Sequence, residues 1–314
     1  MRGTEAFFRT ARERQSIYYR QLYYRKEMEA QDAASLGVVC SEFSEEMLTH
    51  DPILGQYRFC NVFREQDKVT EWVQDHVREP LKTNPRLVQA LTVARFINRP
   101  ETLELLRGSV SRDAPIGARS MMCWWDHDEV ARRIAAERPG LPIVTGAYMV
   151  KTPLRKPKLE GLSEIFEPIM AEKNLYTDVQ ATGSIQAATE LMCTFPWVGP
   201  FMAYEITSDL RHTPVLSHAV DILTWGNPGP GAARGASRVL LGSPDSLSRS
   251  SRTDLGCIHE VMRQLREDSQ REEFWSSTWP AWEMREVEHW LCEFDKYERA
   301  RLGEGRPKQK YPAP

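Results

Sequence analysis

Residues 189–210, TELMCTFPWVGPFMAYEITSDL, narrow what this chain can fold into more than any other stretch. A helical apolar pattern ends near Cys193, and Phe195-Pro196-Trp197-Val198-Gly199-Pro200 follows before a second helical pattern begins. Pro196 and Gly199 force a tight turn, and Pro200 takes the first position of the second helix, where its missing N–H costs nothing. Such a turn leaves backbone N–H groups pointing outward at a positive helix N-terminus, a ready site for an anion such as a phosphate. Short Gly-Pro turns also join helices with no ligand at all, so an αα-hairpin inside a helical core accounts for the segment equally well.

The rest of the chain reads as mainly α. Phe7, Phe8, Ala11, Ile17, Leu22 and Tyr24 recur at helical spacing and predict a long amphipathic helix or two over about 5–30. Asp51-Pro52 and Asn84-Pro85 read as helix openings. Asp126 or Asp128 caps the run EVARRIAAE, which Pro139-Gly140 ends. Further helices are predicted over 159–173, 184–194, 200–210, 253–267 and 282–301. LPIVTGAYMV, residues 141–150, is the best strand candidate, and the Gly-, Pro- and Ser-rich residues 226–251 read as loop for much of their length. The tail from 299 onward is basic: up to residue 310, Glu304 alone opposes its arginines and lysines, a local balance of +4. No repeat or compositional break divides the 314 residues, so one domain, 1–314, is expected.

Composition excludes several function classes. With 41 Lys+Arg against 44 Asp+Glu the formal charge is -3, which is too acidic for a protein that coats nucleic acid by bulk charge. A hydrophobic share of 41% is enough for a real core and rules out a disordered chain. No apolar run approaches the roughly 18 residues of a membrane span, and the first residues carry no export signal, so a cytoplasmic protein is expected. The six cysteines are scattered with no C-x-x-C pair, and His212, His218 and His289 have no partner at metal-ligand spacing. The expectation is therefore no metal site.

The 193–200 turn resembles the helix-hairpin-helix motif of DNA glycosylases, whose turn reads roughly L-P-G-V-G. Pro196, Val198 and Gly199 match it, and Trp197 replaces the first glycine. Glycosylases of that fold carry a catalytic Asp 18–20 residues beyond the hairpin, and Asp221 lies 20 residues after Phe201. Bifunctional members place a Lys where this chain has Phe201, so amine-based strand cleavage is not implied.

Further segments, in order along the chain, are similar to the α-glutamyl/putrescinyl thymine pyrophosphorylase-like family, which also occurs as the helical domain of 5-hydroxymethyluracil DNA kinases. They are DPILGQYRFCNVFREQDKVTEWV (51–73), ARFINRPET (94–102), IVTGAYMV (143–150), GPGAARG (229–235) and HWLCEFDKYERARLGEGRPKQKY (289–311). The resemblance implies a helix-hairpin-helix DNA glycosylase-like helical fold, with the hairpin module at about 184–225, the glycine-rich loop at 226–251 and the basic tail at 299–314. It implies a transferase that replaces the pyrophosphate of 5-(pyrophosphoryloxymethyl)uracil in phage DNA with an amine, such as glycine or putrescine. That enzyme would act after a 5-hydroxymethyluracil DNA kinase in the infected bacterial cytoplasm. The chain itself has no G-x-x-x-x-G-K-[ST] segment for the kinase step.

On this resemblance the catalytic candidates are Asp221 and Asp67, as acceptors of the amine proton, and Arg64, a cation for the leaving pyrophosphate. Arg234, Lys151 and Arg306 are the further cations for that group. Asn61 and Tyr148 stand in the same segments, and the backbone N–H groups of residues 229–235, Gly231 and Gly235 among them, would approach an anion closely. Trp197, Val198, Gly199, Pro200 and Phe201 would meet DNA beside an extruded nucleotide, with Arg301 and Lys308 adding phosphate contacts. No cofactor is assigned, and Mg²⁺ beside the pyrophosphate is left open. The bland readings are a surface i, i+3 ion pair at Arg64–Asp67 and a solvated helix face at Asp295, Lys296, Arg299 and Arg301. Pairs such as Tyr18, Tyr19, Tyr23 and Tyr24 read as core packing. The competing functions are a glycosylase for a modified thymine and a non-catalytic DNA-binding module.

Overall fold

The computed structural model of the chain describes residues 2–107, 120–153 and 155–311, and within them all regular structure is helical. The last three residues of the basic tail lie outside the described residues. One isolated antiparallel bridge joins Tyr57 to Lys310. Among the described residues, no helix is long and apolar enough to cross a membrane. Contacts gather the chain into two compact units, the first made of Met1–Asp67 with Leu223–Pro314 and the second of Lys68–Ile222.

The first unit opens with α1 (Arg2–Tyr24), α2 (Ala30–Ser35) and α3 (Pro52–Gln56). The second contains α4 (Lys68–Val73), a π turn, α5 (Glu79–Leu81), α6 (Leu87–Ile97), α7 (Pro100–Arg107), α8 (His127–Glu137), α9 (Lys158–Ala171), α10 (Leu175–Thr182), α11 (Ile185–Met192) and α12 (Pro200–Leu210). The chain then returns to the first unit with α13 (Pro230–Leu241), α14 (Arg252–Asp268) and α15 (Met284–Arg301).

In the first unit α1 buries Phe7, Phe8 and Ala11 against Trp275, Trp282, Trp290 and Phe294. Phe7 lies 5.1 Å from Phe8 and 5.7 Å from Phe294, both edge-on, the geometry aromatic quadrupoles prefer. Each fully buried ring contributes roughly 2–3 kcal/mol through area removed from water. The Trp290 indole N–H donates to the Phe7 carbonyl at 3.3 Å, so the ring is buried without an orphaned donor. Tyr19 packs with Ala33 and Val38, as its spacing predicts.

The second unit is built around α6, all eleven of whose residues are buried. Helices α7, α9, α10 and α12 pack on it. Local signals set the ends here. Asp126 accepts from the Glu129 N–H at 2.9 Å and caps α8, Ser184 caps α11, and Pro200 opens α12 at the predicted residue. In the first unit, Asp51 accepts from Ile53 and Leu54 N–H and caps α3.

One expectation fails and a second holds only in part. Residues 141–150 form no strand: Thr145 N–H donates to the α6 carbonyl of Ile97, and no neighbouring strand offers a ladder. Residues 226–251 are loop for 14 of their 26 positions, but α13 occupies Pro230–Leu241 at their centre. Its glycines serve packing. A Cβ on Gly235 would lie 2.2 Å from the Leu291 carbonyl oxygen, and one on Gly231 2.8 Å from Cys292 Sγ. The loss of helix propensity, about 1 kcal/mol per glycine, is offset by the close approach of α13 to α15.

Candidate functional site

Helix α15 buries an unusual run of charge, including Arg285, Glu286, Glu288, Glu293, Asp295 and Glu298. Asp295 is fully enclosed. Its Oδ2 accepts from Arg234 Nε at 2.9 Å and Arg299 Nε at 3.1 Å, and its Oδ1 accepts from Arg238 Nε at 3.0 Å. Arg234 and Arg238 lie one turn apart on α13, and Arg299 lies one turn beyond Asp295 on α15, so helical spacing converges three guanidinium groups on one carboxylate. A buried carboxylate needs such partners, since an unpaired one costs several kcal/mol. Arg238 is buried, donates an Nη2 bond to Glu304, and keeps Nη1 buried without an acceptor. Arg234 and Arg299 are more than a third exposed, at 37% and 38%, and spend only Nε on Asp295. Among the described residues, no acceptor takes their terminal Nη donors. Burial works against the charge of Arg238, but Glu304 and Asp295 outweigh it and raise its pKa above the ordinary range. This replaces the reading of Asp295, Lys296, Arg299 and Arg301 as a solvated face, although Arg301, itself exposed, does form an i, i+3 pair with the buried Glu298.

A second polar cluster of the same unit centres on Asp67. Its carboxylate accepts from the Asn61 N–H at 3.0 Å, while Asn61 Nδ2 donates to the Gln66 carbonyl at 2.6 Å. Residues Arg64–Gln66 form a single 3-10 turn, so the expected surface i, i+3 helix pair is replaced by a folded turn that tucks Asp67 inward. Burial pushes the Asp67 carboxyl up to about 6, against the pull of the Asn61 N–H, Arg64 and Arg14. Cys60 N–H donates to Glu293 Oε2 at 3.0 Å, and Lys296 Nζ donates to that same oxygen at 3.0 Å. Burial, then Glu293 and Asp67, pushes the Cys60 thiol well above its usual range. Ligand-type atoms of Cys60, Asp67 and His289 lie within 4.8 Å of one another.

The second unit holds the hairpin and an ion pair that the sequence reading passed over. Arg95 on α6 binds Asp209 on α12 through both Nε and Nη2 at 2.5 Å, with Arg78 Nη1 at 3.9 Å from the same carboxylate. Burial opposes the Arg95 charge, and Asp209 more than restores it. A lone arginine inside ALTVARFI was the available signal, since an apolar helix tolerates a charge only with a buried partner. In the turn, Trp197 adopts φ +67° with its side chain half exposed, the left-handed conformation that a glycine would take in the L-P-G-V-G pattern. Val198 is buried, Gly199 is the N-cap of α12, Pro200 its first residue, and Phe201 is exposed with the Tyr148 ring edge-on at 5.2 Å. The Tyr148 hydroxyl donates to the Arg95 carbonyl. Asp221 accepts from Ser184 Oγ at 2.8 Å, Ile185 N–H at 2.7 Å and Gln186 N–H at 2.9 Å, so both its oxygens secure the start of α11.

The sequence-nominated residues thus divide between the units. Asn61, Arg64, Asp67, Gly231, Arg234, Gly235, Arg301, Arg306 and Lys308 belong to the first unit, whereas Tyr148, Lys151, Asp221 and residues 197–201 belong to the second. Arg306, Lys308 and Lys151 are exposed, and Gly235 lies in a helix interior, where its N–H is not presented to an anion as an open loop would present it. Arg238, Arg299, Asp295, Cys60 and His289 were not nominated. Arg234 and Arg238 at i, i+4 would have stood out had 230–241 been read as helix. A cleft lined by Ile17, Gln21, Tyr24, Leu48, Thr49 and Tyr311 contains none of the nominated residues.

A family model described as "5-hmdU DNA kinase, helical domain" matches residues 42–306. A 5-hmdU DNA kinase of Bacillus phage SP10 is 24% identical over 313 residues, which cover 93% of this chain and 44% of that protein. The chain therefore spans less than half the length of that relative. No solved structure matches. With the helical architecture and five-sixths of the sequence inside the match, the chain belongs to the helical-domain family of the 5-hmdU DNA kinases.

Proposed function

We propose that this protein modifies a thymine-derived base in phage DNA, transferring an amine onto 5-(pyrophosphoryloxymethyl)uracil with release of pyrophosphate. The observation that carries the reading is the cradle of Arg234, Arg238 and Arg299 on buried Asp295. A carboxylate that takes the Nε of each arginine fixes their forks and, at Arg234 and Arg299, leaves terminal donors for a polyanion, a preorganised arrangement for stabilising a departing pyrophosphate. Family membership supports the class of substrate, because the phage relative is by its description a kinase acting on 5-hmdU in DNA. These 314 residues carry no phosphate-binding G-x-x-x-x-G-K-[ST] loop, so the reading assigns to them the use of an activated base and not its activation.

In the proposed reaction the amine lone pair forms a C–N bond at the exocyclic carbon. The C–O bond breaks, and its electron pair leaves with the pyrophosphate. The amine proton passes to the Asp67 cluster, in the same unit as the arginines. Arg64 steadies that carboxylate, and Arg306 adds charge from the tail. In the second unit the 193–200 hairpin, read as helix-hairpin-helix in kind, meets the DNA backbone through the first N–H groups of α12. Trp197 and Phe201 offer exposed rings for the gap left by an extruded base. Asp221 is fully engaged as a cap, which disfavours the competing glycosylase, whose Asp must face a sugar.

The test incubates purified protein with DNA bearing 5-(pyrophosphoryloxymethyl)uracil and with glycine or putrescine, then digests the DNA and reads nucleosides by mass spectrometry. New aminated nucleosides with stoichiometric pyrophosphate are expected. Unchanged base with each amine, or free base with alkali-labile abasic sites, overturns the reading.

A further inference from the structure

We infer that Cys60, Asp67 and His289 form a binding site for a zinc-like divalent transition-metal ion, with three protein ligands and one open position. Nothing in their spacing reveals this. The loop before the 3-10 turn, the residue after that turn, and a helix more than 200 residues later each supply one donor. Thiolate, imidazole and carboxylate are the donor types that bind zinc, and three protein ligands are the number found where a fourth position stays open for chemistry.

The geometry separates this from a nucleophile–base relay. A relay strings thiol and carboxylate on opposite sides of the imidazole, so its ends stand more than roughly 6 Å apart. Here sulfur, carboxylate oxygen and ring nitrogen are mutually within 4.8 Å, a compact triangle. In a tetrahedral zinc site such atoms lie about 3.3–3.8 Å apart, given bonds of about 2.0–2.3 Å, so closure needs a contraction of no more than about 1.5 Å. Two donors are already positioned by an outer layer. Asn61 N–H holds the Asp67 carboxylate, and Glu293 holds the Cys60 backbone N–H. The Asn61 side-chain oxygen, in the same turn, is buried without a hydrogen bond.

Charge shapes which ion fits. Glu293 faces the cluster, but so do Arg14, Arg64 and Lys296, which act electrostatically on Cys60 or Asp67. The surroundings therefore do not attract a dication by field alone, and a hard ion such as Mg²⁺ gains little. A softer ion that displaces the thiol proton and bonds to sulfur overcomes those cations. Burial that makes the bare thiolate unfavourable is relieved by the same bond. An ion held there would acidify a group bound at its open position, a role separate from the proton acceptance proposed above for the Asp67 cluster. The site itself does not depend on that reaction, because its test reads metal and not product.

The test uses the full chain stripped of metal by a chelator. Zn²⁺ is titrated in competition with a chromophoric chelator, and Co²⁺ is titrated while the spectrum is recorded. One equivalent of each is expected, with a thiolate-to-cobalt band in the near ultraviolet that Mg²⁺ does not displace. Cys60→Ser abolishes the band, and His289→Gln and Asp67→Asn weaken binding by at least the roughly tenfold that loss of an outer-layer partner costs. On the unsubstituted protein, Zn²⁺ protects Cys60 from alkylation, a readout that needs no variant to fold. Absence of the cobalt band, or alkylation of Cys60 at an unchanged rate, overturns the inference. A protein that transfers amines yet binds no zinc refutes the metal site alone, and one that binds zinc yet transfers nothing refutes the reaction alone.

Discussion

Each unit contains a buried aspartate gripped by arginine, and the two differ in what they leave unspent. Asp209 takes Arg95 face to face through two parallel bonds, and both side chains are enclosed, at 3% and 0% exposure. Asp295 is enclosed as well, yet it takes only Nε from each of three arginines, two of them open to solvent. The first arrangement satisfies itself and has nothing to offer a ligand. The second carries more positive than negative charge and leaves free forks at the surface. The same residue types thus make a structural bolt in one place and, in the proposed reading, an anion receptor in the other, and the number of committed donors tells them apart.

Experiments can break or sharpen that contrast. The largest effect is expected at the bolt: Asp209→Ala strands Arg95 in the core and should lower unfolding stability by about 3–5 kcal/mol in urea denaturation. A loss under 1 kcal/mol would mean the pair is not structural. Inorganic pyrophosphate should stabilise the unsubstituted protein by about 2–3 kcal/mol at a hundredfold excess over its Kd, visible as a rise in Tm. No shift at millimolar concentration would remove the receptor half of the contrast. Arg234→Gln and Arg299→Gln should each keep stability within about 1 kcal/mol while weakening pyrophosphate binding by about 10- to 100-fold. Calorimetry would check this, and equal losses of stability and affinity would make the two clusters alike. The smallest effect is expected at Glu304, whose carboxylate occupies Arg238 Nη2. Glu304→Gln should tighten pyrophosphate by about two- to threefold, and weaker binding would show that Glu304 supports the cradle and does not compete with its ligand.

What could be read from the sequence was local. Pro200 and Asp126 mark their helices because capping and the missing proline N–H act within one turn, and α12 runs over the predicted residues. The misreadings came where distant packing overrides such signals. GPGAARGA has the composition of a loop, but its glycines are what α15 requires of a helix lying against it. LPIVTGAYMV has strand composition and no partner strand. The site was half legible. Arg234 and Asp67 sit in recognisable segments, whereas Asp295 meets Arg234 from 61 residues away and His289 meets Cys60 from further still. No spacing rule reaches that far. Asp221, nominated by its distance from the hairpin, is held at the start of α11, where Ser184 and two backbone N–H groups occupy its oxygens.

The glycines of α13 also act as a gauge. With Gly231 and Gly235 against Cys292 and Leu291, the distance between the two helix axes is set by bare backbone, and Arg234 and Arg238 hang over Asp295 at whatever height that distance dictates. A methyl group at 235 would wedge the helices apart and shift every fork in the cradle together. Sensitivity to anions would then be lost through a residue that carries no charge and touches no ligand, so the selectivity of this face is written partly in what α13 leaves out.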